Sequence, residues 1–290
     1  MTRLVVMLLG FFICAVSTAW ADGEIGYVED FSGQADHYRV KRADKDIPIR
    51  LCLPLFNGDK IEALDDNGRV SLRLVDHPET VIWSRADKET PIKAMAPQTS
   101  FWSGFMDWTM ASLSPFDAQR RERVLTSIRG DAGSEFGVPL LQVPQTMAAG
   151  KRVIIIGWLK PSSVTEISIT AKGGRKLVDK SKGTGGVWAS PALTLKAGTY
   201  RIAVATAAAT VSGEIKVVDG SEMPKFPEEL TRESVPEPLR HTAQALWLAA
   251  LEDGRYRLEA LQLIAKERTA RPAAILMEAL IDGKKFTLPK

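Results

Sequence analysis

Cysteine is nearly absent from this 290-residue chain, which contains only Cys14 and Cys52. Cys14 lies in a leader that we expect to be removed, so the mature chain would keep Cys52 alone. A single cysteine excludes an intrachain disulfide, even in a compartment that permits one. Cys52 lies within the apolar run IPIRLCLPL. We therefore expect a buried, unreactive thiol.

Histidine is also scarce, and the sequence lacks the common catalytic motifs. His37, His77 and His241 are the three histidines, and none lies at metal-ligand spacing from another or from Cys52. The sequence contains neither a G-x-S-x-G elbow nor a P-loop. The glycine-rich stretch at residues 183–186 precedes a β pattern and indicates a hairpin loop. We therefore expect no enzyme, no metal site and no cofactor.

A strong charge of one sign is missing as well. The chain has 38 Lys and Arg against 35 Asp and Glu, a formal net charge of +3. Arg3 is the only charged residue of the leader, so removal of the leader lowers the net charge to +2. Such a balance argues against a nucleic-acid-binding protein, which would show a strongly basic domain.

The first 21 residues have the pattern of a secretory signal. Arg3 provides the positive start, residues 4–16 form an apolar stretch, and Ala19-Trp20-Ala21 is a small-x-small cleavage site. The apolar stretch is shorter than the roughly 20 residues of a membrane-spanning helix, although an uncleaved anchor is the alternative. No later apolar run is long enough to span a bilayer. We predict a signal peptide over residues 1–21 and a periplasmic protein without a transmembrane span.

Residues 22–84 predict an all-β domain. Residues 69–76 alternate clearly, with Val70, Leu72 and Leu74 on one side of a strand. Asn57-Gly58 and Asn67-Gly68 supply turns, and no helical period is present. The predicted strands cover residues 24–29, 35–41, 47–55, 60–64, 69–75 and 80–83.

The stretch LFNGDKIEALDDNGRVSLRLVD, residues 55–76, contains five carboxylates and raises the question of a calcium site. When Gly68 is aligned with the glycine of an EF-hand loop, Ala63 and Leu74 occupy positions that require Asp and Glu. The EF-hand interpretation therefore fails. A hairpin with a type I′ turn at Asn67-Gly68 accounts for the pattern instead.

Residues 85–137 predict a linker with amphipathic and basic helices. In FWSGFMDWTMASL, Phe101, Phe105 and Trp108 recur at helical spacing. One hypothesis is an interfacial helix that contacts lipid or a partner. The other is a helix packed on the neighbouring β domain. We favour the second, because Gly104 and Asp107 interrupt the apolar stretch.

Residues 138–219 predict an immunoglobulin-like β-sandwich. About seven short strands are separated by turns, and Trp158 is a candidate core residue. Leu195, Gly198 and Tyr200 have the layout of a tyrosine corner, in which the hydroxyl binds nearby backbone.

The chain ends in a helical region. Residues 220–238 form a linker rich in Pro and Glu, and residues 239–290 contain three helical patterns that we interpret as a C-terminal helical hairpin. The predicted fold class is therefore mainly β, with two β domains, a helical linker and a C-terminal helical region.

The first β domain resembles the FecR domain. GYVEDFSGQADHYR contains the family's initial G-x-V and a second G-x-a strand, where a is apolar. LFNGDKIEA matches the step L-x-x-G-D-x-I-x-T, with Ala63 in place of the usual Thr. GRVSLRLVD matches the strand that follows, with His77 and Pro78 where a Gly is common.

This resemblance covers residues 24–84 and implies a module of the bacterial envelope that works by protein contact. Named members relay iron-siderophore signals from an outer-membrane receptor to a sigma factor. They have a cytoplasmic helix bundle and a membrane span before the β domain, whereas this chain has a signal peptide there. It is similar to the stand-alone secreted branch, and the family offers no catalytic residues to transfer.

The sequence therefore predicts a non-enzymatic interaction or signal-sensing component of the cell envelope, with an envelope protein as its partner. The expected contact surfaces are the FecR-like sheet and the aromatic segment. The alternative is a glycan- or peptidoglycan-binding module. For the alternative, Trp83, Trp102, Trp108 or Trp188 would serve as stacking platforms. The candidate binding residues are Trp83, Phe101, Trp102, Phe105 and Trp108.

Deleting residues 1–21 tests the signal assignment. The deletion removes both the positive start and the apolar stretch that a secretion system recognises, so we expect the protein to stay in the cytoplasm. Cell fractionation and immunoblotting measure the outcome, with the full chain as the control. Export of the deletion variant would show that the assignment is wrong.

Overall fold

The computed structural model describes residues 23–77, 79–87, 90–94, 104–126, 136–159, 165–183 and 185–288. The predicted signal peptide, Phe101 and Trp102 lie outside these residues. The chain is mainly β, with several antiparallel sheets and a C-terminal helical region, which confirms the predicted fold class. Within the described ranges, no helix is both long and apolar enough to cross a membrane.

The first β domain contains seven strands in two sheets. Their bounds are β1 (Gly26–Phe31), β2 (Tyr38–Arg42), β3 (Lys45–Pro48), β4 (Pro54–Leu55), β5 (Lys60–Ala63), β6 (Arg69–Leu74) and β7 (Val81–Ser84). One sheet has the order β4-β1-β6-β7 and the other β3-β2-β5. Val70, Leu72 and Leu74 are buried in the core between them, as the alternation predicts.

The predicted hairpin at residues 55–76 is wrong, because β5 and β6 belong to different sheets. β5 pairs with β2, whereas β6 pairs with β1 and β7, so the acidic stretch crosses from one sheet to the other. Its turn is closed by Gly68 N–H donating to the Asp65 carbonyl at 3.1 Å. Neither Asn67 nor Gly68 has a positive φ. Gly68 is required by space instead, because a Cβ there would lie 2.8 Å from the Ala63 Cβ and 3.1 Å from the Asp65 carbonyl oxygen.

The Gly-Asp step of this stretch has a structural role. Asp59 is buried, and it accepts two hydrogen bonds from Arg42, at 2.9 and 2.8 Å. It also accepts the Phe56 backbone N–H at 3.0 Å. The same guanidinium lies 4.2 Å from the Phe56 ring centroid. A buried carboxylate satisfied in this way fixes the turn rather than presenting a free ligand.

A single helix, α1 (Gly104–Thr126), follows the first β domain. Gly104 and Asp107, which interrupt the apolar stretch of the sequence, are both part of this helix. Gly104 begins the helix, and Asp107 lies in the first turn, where a carboxylate is favourable to the helix dipole. Pro115 lies inside the helix, which nevertheless continues to its basic end; the side chains of residues 120–126 are outside the described set.

The second β domain is a sandwich of nine short strands. Their bounds are β8 (Gln145–Ala148), β9 (Gly150–Arg152), β10 (Ile155–Gly157), β11 (Thr165–Ala171), β12 (Lys176–Gly183), β13 (Val187–Ala189), β14 (Leu193–Leu195), β15 (Gly198–Ala205) and β16 (Thr210–Val218). One sheet has the order β12-β11-β15-β16-β8, with β8 parallel to β16. The pairs β10-β13 and β9-β14 form the opposite layer.

The tyrosine corner predicted for this domain is confirmed. The Tyr200 hydroxyl donates to the Lys196 carbonyl at 2.9 Å and accepts the Lys196 N–H at 3.1 Å. Trp158 is also buried in the sandwich core, as expected. Two packed antiparallel layers closed by such a corner are an immunoglobulin-like arrangement.

Three helices complete the chain: α2 (Glu237–Ala250), α3 (Arg257–Ile264) and α4 (Arg271–Ile281). The C-terminal region is thus a three-helix unit and not a hairpin. Polar groups connect α3 to the sandwich. Glu259 accepts two hydrogen bonds from Arg152, at 2.6 and 2.8 Å. The side-chain amide of Gln262 accepts the Ile155 N–H and donates to the Ile155 carbonyl. It thus makes the pair of hydrogen bonds that a neighbouring strand would make.

These helices, called the hub below, share one apolar core with the other parts of the chain. Tyr27, Leu51 and Cys52 of the first β domain lie in this core together with Leu140, which precedes the sandwich. Helix α1 adds three side chains that are at most 1% exposed: Met106, Met110 and Leu113. The described part of the aromatic segment therefore packs internally. It contacts α2 and α4, and not the β domain alone.

Arg271 of α4 connects three parts of the chain by charge. Its Nη2 lies 2.8 Å from Asp117 Oδ1 of α1, and its Nε lies 3.5 Å from Asp30 Oδ1 of β1. The Arg271 and Asp117 side chains are 16% and 9% exposed. A pair this far from water is sensitive to the loss of either partner, because the remaining charge stays buried.

Replacing Arg271 by methionine tests this connection. We expect Arg271→Met to lower the free energy of unfolding by about 3 kcal/mol, because it removes the cation that lies against the nearly buried Asp117 carboxylate. Urea unfolding followed by circular dichroism measures the change. Arg39→Met, which breaks the exposed Arg39–Asp46 pair, is the control and should cost less than about 1 kcal/mol. Equal losses in the two variants would contradict the role of Arg271.

Candidate functional site: the outer face of the sandwich

The outer face of the five-stranded sheet is a regular surface of exposed side chains. Ile167, Ile169, Tyr200, Ile202 and Ile215 point into the core, so their neighbours along each strand point outward. The outward residues form rows across the sheet, set by the strand register. The rows are Lys182–Glu166–Ala205–Thr210, Ser168–Ala203–Ser212 and Lys176–Thr170–Arg201–Glu214, with the pair Thr199–Lys216 beyond them.

A shallow open trough of about 680 Å³ lies at one end of this face. Thr170, Thr199 and Ser212 provide three hydroxyl groups to its lining, and Arg201 and Glu214 provide opposite charges. The Arg201 guanidinium donates to the Ser212 hydroxyl at 2.7 Å. The trough therefore offers hydrogen-bond donors, acceptors and both signs of charge on a rigid sheet.

Cations predominate on this face and on the turn beside it. Seven lie there: Lys172, Arg175, Lys176, Lys180, Lys182, Arg201 and Lys216. Three carboxylates accompany them. Asp179 pairs with Lys176 at 2.9 Å, Glu166 lies 3.9 Å from Lys180, and Glu214 is opposite Arg201 in the register. The local formal charge is therefore +4.

The edge strand β12 carries a bulge within this basic region. The register with β11 shifts between Ile167 and Ile169, and Lys180 has a φ of +53°. A bulge and lysines at an edge disturb the row of backbone groups that a further strand would need. The edge is thus protected against strand addition, whereas the face stays open.

This face is hidden in the net charge of the whole chain, which is close to zero. Residues 138–219 contain 11 of the 38 Lys and Arg but only 4 of the 35 Asp and Glu, a net formal charge of +7. The rest of the chain contains 27 Lys and Arg and 31 Asp and Glu, a net formal charge of −4. Charge counted for each predicted domain would have shown the asymmetry. The strand register that gathers the cations on one face is not visible in the composition.

The predicted aromatic binding residues lie elsewhere, and the described ones are packed inside the protein. Trp83 is 4% exposed in the core of the first β domain. Phe105 and Trp108 are partly buried against the hub, and the Trp108 Nε1–H donates to the Thr287 carbonyl at 3.0 Å. These three do not form one surface. Phe101 and Trp102 are outside the described residues.

Cys52 lies where the first β domain meets the hub. It is buried, as predicted, and its backbone has a φ of +52°. Burial, and next the charge of Glu29, raise the pKa of the Cys52 thiol well above its usual value. The thiol therefore stays protonated at neutral pH, which makes it a poor nucleophile.

One group of side chains in the hub has metal-ligand composition. One potential ligand atom from each of Glu237, His241 and Glu267 lies within 4.8 Å of the others. His241 Nδ1 is 2.9 Å from Glu267 Oε1, and Nε2 is 3.8 Å from Glu237 Oε1. Each ring nitrogen thus faces its own carboxylate, and one ion cannot bind both nitrogens. The geometry fits a bridge that holds α2 to the turn after α3.

Arg257, the first residue of α3, is the least compensated charge in the hub. It is 7% exposed, and its guanidinium has neither a hydrogen-bond nor an ion-pair partner among the described residues. Burial lowers the pKa of Arg257 from its ordinary value. The nearby carboxylates are already engaged, Glu252 by Arg255 and Glu259 by Arg152.

Comparison with known proteins adds no family assignment. No protein-family model matches the chain, and no curated protein sequence matches it. The FecR resemblance therefore stays a prediction. The chain is similar in structure to titin domain M4 in a trigonal crystal form, with 17% identity and a TM-score of 0.21 over 27% of this chain and 90% of that chain.

A second solved structure is the immunoglobulin-like domain of human leucine-rich repeat-containing protein 4. The identity is 16% and the TM-score 0.21, over 34% of this chain and 98% of that chain. Both similarities concern only part of this chain, and they indicate no function.

The buried position of Trp83 gives a direct test of its role. We expect Trp83→Ala to lower the free energy of unfolding by about 3 kcal/mol or more, because it opens a large cavity in the core. Its neighbour on β7, Ile82, is 57% exposed, and Ile82→Ala is the control, with an expected loss below about 1 kcal/mol. Urea unfolding followed by circular dichroism measures both. A small loss in the free energy of unfolding for Trp83→Ala would make Trp83 a candidate binding residue again.

Proposed function

We propose that this protein is an exported, non-enzymatic component of the bacterial cell envelope that works by binding another protein, in assembly or in signal sensing. The signal pattern at residues 1–21 supports export, and the FecR-like motif at residues 24–84 supports a role in the envelope. The observation that carries the proposal is the open outer face of the sandwich. It is rigid, charged and left free by the contacts that hold the chain together.

The packing of the sandwich supports this choice of surface. Its core is extended by Leu258 of α3, and Arg152 and Ile155 bind the same helix. Gln145 of β8 accepts the Leu258 N–H at 2.9 Å. These contacts lie on β8, β9 and β10, whereas the outward residues of β11 and β15 are not used by them. The sandwich is thus held on one side and presents the other.

Glycan binding is the second candidate, and the trough is the feature that favours it. Thr170, Thr199 and Ser212 could bind sugar hydroxyls. Stacking platforms are missing from this face, however, because Trp158 and Trp188 are 3% and 6% exposed and point into the core. Aromatic faces are the usual apolar contact for a sugar ring, so we rank protein binding first.

Site-specific photocrosslinking tests the proposed contact. A benzoylphenylalanine in place of Thr210, an exposed outward residue, reports what touches the face in the intact envelope. The same group in place of Asp44, exposed in the first β domain, is the matched control. We expect a discrete protein adduct from position 210 and none from position 44. The adduct is identified by mass spectrometry.

Retention on purified sacculi separates the two candidates. We expect the protein to stay in the supernatant when sacculi are sedimented. Retention on sacculi without a protein adduct would support glycan binding in place of protein binding. Equal adducts from positions 210 and 44 would contradict a specific role for the outer face.

A further inference from the structure

We infer that the partner presents an acidic protein surface, which docks flat on the outer face of the sandwich. This inference rests on the proposed function and specifies the partner's chemistry. The distribution of charge along the chain supports this inference. The face and its adjoining turn carry a net charge of +4, while the chain outside residues 138–219 carries −4. The basic charge is thus gathered on one module and is not a property of the whole chain.

The mixture of charges favours a polypeptide partner over a lipid surface. Glu166 lies in the row of Lys182 and Ala205, and Glu214 lies next to Arg201 in another row. A dense array of phosphates would be repelled by both glutamates. A protein surface can place a carboxylate opposite each cation and a basic side chain opposite each glutamate, which fixes both orientation and register.

The size of the outward side chains also limits the partner. Ala203 and Ala205 are the only apolar residues in the rows, and Val143, 37% exposed, lies at the border of the face beside Glu214 and Lys216. A membrane-binding surface would use Trp, Phe or Leu to enter the lipid. This face instead offers short hydroxyl and methyl groups between charges, and a flat partner can approach the sheet closely.

The edge strand determines the mode of contact. The bulge at Lys180 and the lysines of β12 disfavour a partner strand that extends the sheet. The contact is therefore made with side chains on the face. Its strength depends on charge pairs near solvent, which salt weakens.

A matched pair of charge-reversal variants tests the inference. The face variant combines Lys176→Glu, Arg201→Glu and Lys216→Glu. The control variant combines Lys45→Glu, Lys93→Glu and Lys225→Glu, which are exposed outside the sandwich and change the net charge equally. Circular dichroism shows whether both variants are folded.

Three defined probes report the binding chemistry: poly-L-glutamate, vesicles that contain phosphatidylglycerol, and purified sacculi. We expect the protein to bind poly-L-glutamate more tightly than vesicles or sacculi. The face variant should lose at least about tenfold in affinity for poly-L-glutamate, whereas the control variant should stay within about twofold. Raising the salt concentration from about 50 to about 300 mM should weaken the binding of the wild-type protein to poly-L-glutamate. Tighter binding to vesicles or sacculi, or equal binding by the two variants, would overturn the inference.

The photocrosslink at position 210 distinguishes failure of the acidic-partner inference from failure of the proposed function. We expect the face substitutions to abolish the adduct and the control substitutions to preserve it. An adduct that survives in the face variant would overturn the acidic-partner inference and leave the proposed function standing. Failure to form any adduct in the wild-type background would overturn the proposed use of this face itself.

Discussion

One apolar core joins the two ends of this protein, and the arrangement of every described module depends on it. Tyr27 and Leu51 of the first β domain and Leu280 of the last helix contribute to the same cluster. Burial of apolar surface is the main favourable term in folding, so the modules gain stability by sharing it. This constraint turns the inner side of each module toward the hub. The outward residues of β11 and β15 are open because the hub meets the sandwich at β8, β9 and β10, where Arg255 binds Thr146 at the border of the outer face.

The contacts at the borders of the core are polar, and they give the modules their orientation. Gln262 binds the backbone of Ile155, while Glu259 and Arg271 bind charged partners far away in the sequence. Hydrogen bonds have stricter geometry than apolar contacts, so they select one docking angle among many that would bury similar area. Arg257 shows the limit of this arrangement, since its charge is buried without such a partner.

Local patterns predicted the modules better than their assembly. The alternation around Leu72 and the layout of Tyr200 reflect contacts within one strand or turn, and both predictions are confirmed. The turn at Gly68 was assigned wrongly, because its partner strands are chosen by the sheets and not by the turn residues. The docking of Met106 required surfaces that lie far away in the sequence. The outer face needed both a charge count by domain and the strand register, and only the first can be obtained from sequence.

The shared core also has a consequence for how the chain acquires its structure. Its first and last contributors are separated by almost the whole described length, so loop closure over a long chain precedes their contact. Until α4 has been synthesised, the inner surfaces around Tyr27 and Leu51 lack part of their cover. During that interval the protein resembles a set of unfinished domains with exposed apolar patches, which aggregate readily. A chain built in this way benefits from a holding chaperone until α4 is available. The packing around the first β domain is therefore completed only when this helix has been synthesised.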